Sequence, residues 1–131
     1  MVEFGTLFQE ADWKSEKHSP VIMVEGQATA GKNIEIYVGV GREIAHPNTT
    51  AHHIAWIDLV FKPDGGKFPY HVGRYEFVAH GASTEGADTS TVYCQPECRI
   101  TMKTEKSGEL TAFSYCNIHG LWASKVRMEV E

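Results

Sequence analysis

Residues 52–61 have the sequence HHIAWIDLVF, and this stretch decides the fold class. β-Branched and aromatic side chains dominate it, which favours an extended strand over a helix. The stretch 34–40, IEIYVGV, places an apolar residue at every second position from Ile34 to Val40. That period is typical of a strand with one buried face. The two stretches together predict an antiparallel β-protein.

Outward from these stretches, short apolar or aromatic runs recur along the chain and are separated by turns rich in Gly and Pro. We predict strands at Val21–Val24, Ile34–Val40, His52–Phe61, Tyr70–Val78, Thr91–Tyr93, Arg99–Lys103, Leu110–Tyr115 and Ala123–Val130. The spacing of Phe4, Leu7, Phe8 and Ala11 predicts a helical turn near the start. We expect an all-β, immunoglobulin-like antiparallel β-sandwich that forms one domain over residues 1–131, with a closed barrel as the alternative.

The composition excludes several classes of function. With 42% hydrophobic residues, the chain of 131 residues is expected to bury a real core and not to be disordered. A formal net charge of −5 argues against general binding to nucleic acid or to a membrane surface. No apolar stretch is long enough to span a bilayer, and the N-terminal residues lack the apolar core of a signal peptide. We therefore expect a cytoplasmic protein, in which cysteines are metal ligands or catalytic groups more often than disulfides.

Five side chains of metal-ligand type lie at positions where loops are expected or at the end of a strand. His18 lies just before a proline, two residues from Pro20, His46 directly precedes Pro47, and His52 follows His46 by six residues. Cys116 and His119 form a Cys-x-x-His pair before a turn glycine. Loops on a rigid sandwich are the usual place for binding groups. We interpret these five residues as one metal site.

The other three histidines are interpreted as solvated side chains without a function. His53 directly follows His52, so their side chains should point to opposite faces of an extended strand. His71 and His80 each stand apart from the grouped positions.

The number of candidate ligands indicates which metal the site would bind. Structural zinc takes four ligands in a closed tetrahedron, and five candidates exceed that number. Iron accepts both imidazole and thiolate, and five protein ligands leave one of its positions open. Copper is the rival, because blue-copper sites use two histidines and a cysteine. Such a site would leave two histidines unused, and Met128 is the first methionine after His119.

The stretches that contain these residues resemble a known family. They are EKHSP (16–20), HPNTTAHHIAW (46–56), KFPY (67–70), FVAHGAS (77–83) and KSGELTAFSYCNIHGLW (106–122). In these stretches the chain resembles the superoxide reductases, specifically the short single-iron kind called neelaredoxins. The resemblance covers nearly the whole chain, and the motifs EKHxP, HPN-x3-HH and CNIHG occur in the family's order.

The resemblance implies an enzyme that reduces superoxide to hydrogen peroxide at one mononuclear iron. It implies an axial thiolate from Cys116 and four equatorial imidazoles, from His18, His46, His52 and His119. An axial thiolate pushes electron density onto the iron, which favours reduction of superoxide over its oxidation. A small electron donor such as rubredoxin and a homotetrameric assembly are also implied.

Two charged residues before His18 match the mobile loop of the family. Glu16 is the expected sixth ligand when the iron is ferric and no substrate is present. Lys17 is expected to supply a local positive field that attracts superoxide against the net charge of −5.

Cys94 and Cys98, in YCQPEC, lie outside the family's site motif. Two cysteines cannot form the four-cysteine iron site of the longer family members. They flank a short turn, so a disulfide could form if their Cβ atoms approach to about 4 Å, although a cytoplasmic location disfavours it. Two functions compete with the enzyme: a copper electron carrier, and a structural sandwich that holds adventitious metal.

Overall fold

A computed structural model describes residues 3–131, which form two antiparallel sheets. The strands are β1 (Pro20–Glu25), β2 (Ile34–Val40), β3 (Ile54–Pro63), β4 (Tyr70–Glu76), β5 (Glu97–Met102), β6 (Gly108–Cys116) and β7 (Gly120–Met128). One sheet has the order β1-β2-β5, and the other has the order β4-β3-β6-β7. The predicted antiparallel all-β sandwich is confirmed.

The two sheets bury one face each in a shared core. In β6 every second residue from Leu110 to Cys116 is fully buried, and β3 buries Ile57, Leu59 and Phe61 in the same way. Complete burial of one such large apolar side chain contributes about 1.5–3 kcal/mol. This interior holds the strands in a fixed register and gives the loops at both ends rigid supports.

Antiparallel pairing brings particular strand ends together. Pro20 of β1 pairs with Val40 of β2, and Ile54 of β3 pairs with Cys116 of β6. Cys116 also pairs with Gly120 across the turn between β6 and β7. The end of the sandwich where β1 and β3 begin and β2 and β6 end is called the histidine end. The opposite end, where β3 ends and β6 begins, is the far end.

Two predicted elements differ from the structure. The predicted strand Thr91–Tyr93 was wrong, since Tyr93 forms only an isolated bridge with His80. Its side chains lie in solvent, with Val92 69% exposed, so no apolar face holds this segment against a sheet. The predicted helical turn is a 3-10 turn at Phe4–Thr6 that buries none of its residues.

The start of β3 also differs from the prediction. The strand begins at Ile54, so His52 and His53 lie in the preceding turn and not inside the strand. The turn is closed by a hydrogen bond from the Thr49 N–H to the His52 carbonyl oxygen at 2.9 Å. Within residues 3–131, no helix is long and apolar enough to cross a membrane.

Candidate metal centre

His18 lies two residues before β1 and is 6% exposed. Its ring Nδ1 donates a hydrogen bond to Glu16 Oε1 at 2.7 Å, and its backbone N–H donates to the same oxygen at 2.9 Å. Because Nδ1 carries the proton, Nε2 presents its lone pair to a ligand-binding position. The two hydrogen bonds from His18 lower the pKa of the Glu16 carboxyl group, which is therefore ionised at neutral pH.

His46 lies in the loop that follows β2 and is buried. Its Nδ1 donates to the Pro47 carbonyl oxygen at 2.6 Å, which again leaves Nε2 as the free nitrogen. Burial lowers the pKa of His46 to about 4, so the imidazole is neutral, the form that binds metal. Gly41 has a φ of +83°, and a Cβ there would lie 2.7 Å from the His46 backbone nitrogen. Glycine is therefore needed at this position for His46 to lie so close to the end of β2.

The turn between β6 and β7 carries Cys116 and His119. Cys116 is fully buried at the end of β6, and its Sγ accepts a hydrogen bond from the His119 backbone N–H at 3.3 Å. Gly120, with a φ of +82°, closes the turn in the left-handed conformation. The turn aims both side chains at one point, because the His119 Nδ1 lies 3.8 Å from the Cys116 Sγ.

Four of the predicted ligands meet at the histidine end of the sandwich. One ligand atom from each of His18, His52, Cys116 and His119 lies within 4.8 Å of the others. The His18 Nε2 and the His119 Nδ1 are 3.1 Å apart. His46 joins this group, since its ring centroid lies 4.7 Å from the centroids of both His18 and His52. The structure thus brings together five residues from three separate segments of the sequence.

Two unpartnered ring nitrogens in the cluster indicate that it can hold a metal ion. The Nε2 atoms of His46 and His52 are buried and find no hydrogen-bond partner among residues 3–131. Leaving a buried polar atom unsatisfied costs about 1–3 kcal/mol, and native proteins contain few such atoms. A metal ion between the rings would satisfy both nitrogens. Neutral imidazoles with one thiolate form a donor set that iron accepts.

Two charged residues border the cluster. Glu16 lies against His18 and accepts both of the hydrogen bonds described above. Lys17, the next residue, is half-buried. The pKa of His52 is lowered mainly by burial, then by His119 and His18, and to a smaller degree by the charge of Lys17. The field of Lys17 therefore reaches the cluster.

Trp122 contacts the cluster, and sequence reasoning missed it. Its ring stacks on the His18 ring, with centroids 5.0 Å apart and planes inclined by 14°. Its Nε1–H donates to the His119 carbonyl oxygen at 3.3 Å. The spacing His-Gly-x-Trp, with the turn glycine directly after the histidine, was the available signal, because it places the indole on the first residues of the next strand.

His53 and His80 are not the solvated side chains that were predicted. Their rings stack with centroids 3.5 Å apart and planes inclined by 8°. The His53 Nδ1 donates to the Thr49 carbonyl oxygen at 2.9 Å. His52 belongs to the metal-ligand cluster and His53 stacks on His80, but both lie in a turn and not in the strand whose alternation was the basis of the prediction. His71 is exposed as predicted, and its Nε2 lies 3.1 Å from Asp58 Oδ1.

The other two cysteines lie outside the cluster as free thiols, so Cys94 and Cys98 form no disulfide. Cys98 is buried in the core between the sheets. Burial raises the pKa of the Cys98 thiol to about 11, which keeps it protonated at neutral pH. A protonated thiol is a poor nucleophile and a poor metal ligand.

A β-sandwich with four histidines and a cysteine at one end defines the class of small mononuclear non-haem metal proteins. Residues 10–125 match the family model described as Desulfoferrodoxin, and the chain belongs to this family. The superoxide reductase of Pyrococcus furiosus is 52% identical over 121 residues, which cover 92% of this chain and 95% of that protein. The neelaredoxin of Megalodesulfovibrio gigas is 48% identical over 118 residues, which cover 90% of this chain and 91% of that protein.

Solved structures agree with these sequence comparisons. The superoxide reductase (neelaredoxin) of Archaeoglobus fulgidus in the reduced form superposes with a TM-score of 0.89 at 61% identity. The superposition covers 94% of this chain and 98% of that chain.

Proposed function

We propose that this protein is a superoxide reductase, which catalyses O2•− + e− + 2H+ → H2O2 at one iron per chain. The observation that carries this proposal is the cluster in which three histidines and a cysteine offer ligand atoms within 4.8 Å of one another. Relatives named superoxide reductase and neelaredoxin align with 92% and 90% of the chain, which supports the same activity.

The proposed iron ligands are four imidazoles and one thiolate, from His18, His46, His52, His119 and Cys116. Support comes from the hydrogen bonds that occupy Nδ1 in His18 and His46 and leave Nε2 free. Bound there, iron would supply the electron of the reaction by changing from Fe(II) to Fe(III). These five protein ligands would leave one position of the metal open for the small substrate. His119 is exposed, so this side of the cluster lies next to solvent.

Cys116 would control the direction of electron flow. With iron bound, its thiolate would raise the electron density at the metal and so favour reduction of superoxide. The hydrogen bond from the His119 N–H to the Cys116 Sγ withdraws some of that charge and holds the sulfur in one orientation.

We propose that Glu16 ligates ferric iron in the absence of substrate. Its carboxylate lies beside the cluster but is bound to His18 through two hydrogen bonds. Ligation therefore requires Glu16 to release His18 and its segment to move. When bound to His18 it acts instead on the imidazole, because it fixes the Nδ1 proton and the ring orientation.

Lys17 is proposed to attract superoxide. Its charge reaches the cluster, as its contribution to the lowered pKa of His52 indicates. The chain carries a net charge of −5, so an anionic substrate needs a local positive field near the open position.

Further proposals concern the assembly and its surroundings. We propose a rubredoxin-like electron donor, which would reach the metal through the exposed His119 and the neighbouring Ile118, 57% exposed. A homotetramer is proposed because large side chains such as Tyr70 and Tyr75 on β4 lie in solvent, a common property of interfaces. We also propose a cytoplasmic location, which suits free thiols, and a single domain over residues 1–131. Sedimentation equilibrium tests the tetramer, and the rate of reduction by reduced rubredoxin tests the donor.

The decisive experiment combines metal content with product stoichiometry. Protein produced anaerobically in iron-rich medium is expected to hold roughly one iron per chain, with a blue ferric form from thiolate-to-iron charge transfer. The reduced protein is then mixed with superoxide, and hydrogen peroxide is measured. Reduction yields one peroxide for each superoxide consumed, whereas dismutation yields one for every two. The lower yield, or full occupancy by copper or zinc, would contradict the proposal.

A further inference from the structure

Asn117 occupies an exposed position in the turn between β6 and β7, directly after Cys116. Its side-chain Oδ1 accepts a hydrogen bond from the His53 N–H at 2.9 Å, and its Nδ2 donates to the Ala51 carbonyl oxygen at 2.9 Å. Its backbone N–H donates to the His53 carbonyl oxygen at 3.2 Å. One residue thus makes three hydrogen bonds to the two neighbours of His52.

The turn that carries His52 is internally fixed, so these contacts control the turn as a unit. The His52 N–H donates to Thr49 Oγ1 at 3.0 Å, and the Thr49 N–H donates to the His52 carbonyl oxygen at 2.9 Å. Such a closed turn keeps its shape but needs attachments that set its orientation. Asn117 attaches it on both sides of His52 to the turn that holds Cys116.

The pattern joins two loops that each contribute ligand atoms. Cys116 and His119 come from the β6–β7 turn, and His52 comes from the turn before β3. The ligand atoms of all three lie within 4.8 Å of one another, so a small rotation of one loop changes the distances between them. Metal affinity depends steeply on such distances.

We propose that Asn117 is a positioning residue that holds His52 at the correct distance from Cys116 and His119. The proposal rests on the proposed function in one respect, namely that this cluster binds iron. Asn117 itself is exposed, so water can replace its partners when its side chain is removed, and the loss of folding stability is small. The effect should instead fall on the metal, since the loss of partners that orient metal ligands typically lowers affinity 10–100-fold.

The experiment compares the iron-loaded parent with Asn117→Ala, Asn117→Asp and the control Asn33→Ala. Asn33 is an exposed asparagine directly before β2, at the far end of the sandwich. The rate of iron loss to a strong chelator is measured for each protein, with the ferric absorption band and the thermal unfolding of the metal-free form. Asn117→Asp keeps the acceptor for the His53 N–H and loses the donor to Ala51, so it should lie between the parent and Asn117→Ala.

We expect Asn117→Ala to lose iron about tenfold faster than the parent, at the lower end of the usual range because the backbone hydrogen bond to His53 remains. Its ferric band should shift, while its metal-free form should unfold at the temperature of Asn33→Ala. Iron loss at the parental rate would overturn the proposal, as would a drop in unfolding temperature without a shift of the band.

Failure of the proposed function would look different. If the parent itself held no iron, the iron site would be refuted, and hydrogen exchange in the metal-free protein would decide on Asn117. The His53 amide should exchange faster in Asn117→Ala than in Asn33→Ala. Equal exchange would overturn the positioning role by itself.

Discussion

The histidine end and the far end of the sandwich are built from the same strands but treat polar groups differently. At the far end, Asp64 accepts hydrogen bonds from both terminal nitrogens of Arg127, and all these groups lie in solvent. At the histidine end, the buried Nε2 atoms of His46 and His52 have no partner among residues 3–131. At the far end, the charged side chains of Asp64 and Arg127 satisfy each other's hydrogen bonds. At the histidine end, the two buried nitrogens need a partner from outside the chain, such as a metal ion. Buried polar atoms without hydrogen-bond partners therefore distinguish a binding site from a solvated surface.

The largest expected effect comes from Cys116→Ser at the histidine end. Serine has nearly the same shape, so the fully buried position should still be filled. A hydroxyl is a poor replacement for the thiolate, and we expect loss of the blue ferric band and of almost all superoxide consumption. Absorption spectroscopy and iron analysis of the purified variant measure both.

Cys94→Ser is the matched control for this change. Cys94 is half-buried and lies outside the cluster. Its variant should keep colour and activity. A blue Cys116→Ser protein would mean that another group supplies the charge-transfer band.

A smaller effect is expected from Lys17→Ala. Removal of the positive charge should slow the second-order reaction with superoxide by about tenfold at low salt, because the field no longer concentrates the anion. The rate should also depend less on ionic strength, since salt screens a charge that acts through solvent. Pulse radiolysis over a range of salt concentrations gives both quantities.

Glu16→Gln provides the neighbouring comparison for Lys17. It removes a negative charge and the proposed ferric ligand, so the oxidised spectrum should change while the encounter rate does not fall. If Glu16→Gln slowed the encounter and Lys17→Ala left the rate and its salt dependence unchanged, the two roles would be reversed.

The fold was predictable because its main signal is local. Alternation in IEIYVGV and the β-branched and aromatic composition of HHIAWIDLVF are signals contained within one segment, and the buried face that the alternation marks requires a second sheet. Thr91–Tyr93 shows the limit of this signal. Its residues have the composition of a strand, but they gain nothing from pairing because no core lies beneath them.

The ligands were predictable from motifs, but their supports were not. Cys-x-x-His and the family-like stretches single out five residues without any structure. Asn117 and the His53–His80 stack act through contacts between loops that are distant in the sequence. Asparagines in turns and histidines in loops are usually solvated side chains without a specific role. Only the folded structure shows that Asn117, His53 and His80 make specific contacts.

The smallest effect is expected at the far end, from Asp64→Asn. The hydrogen bond from Arg127 lowers the pKa of the Asp64 carboxyl group, but both side chains are exposed, and such surface ion pairs contribute little. We expect the unfolding temperature to change by no more than about 2 °C at neutral pH. A lowered carboxyl pKa contributes stability above the pKa of the unfolded chain and loses it as the pH falls through the lowered value. The parent and the variant should therefore unfold alike in acid, and also in high salt, which screens the pair. Iron content and the superoxide rate should match the parent throughout. A lower iron content in Asp64→Asn would show that the two ends of the sandwich are coupled.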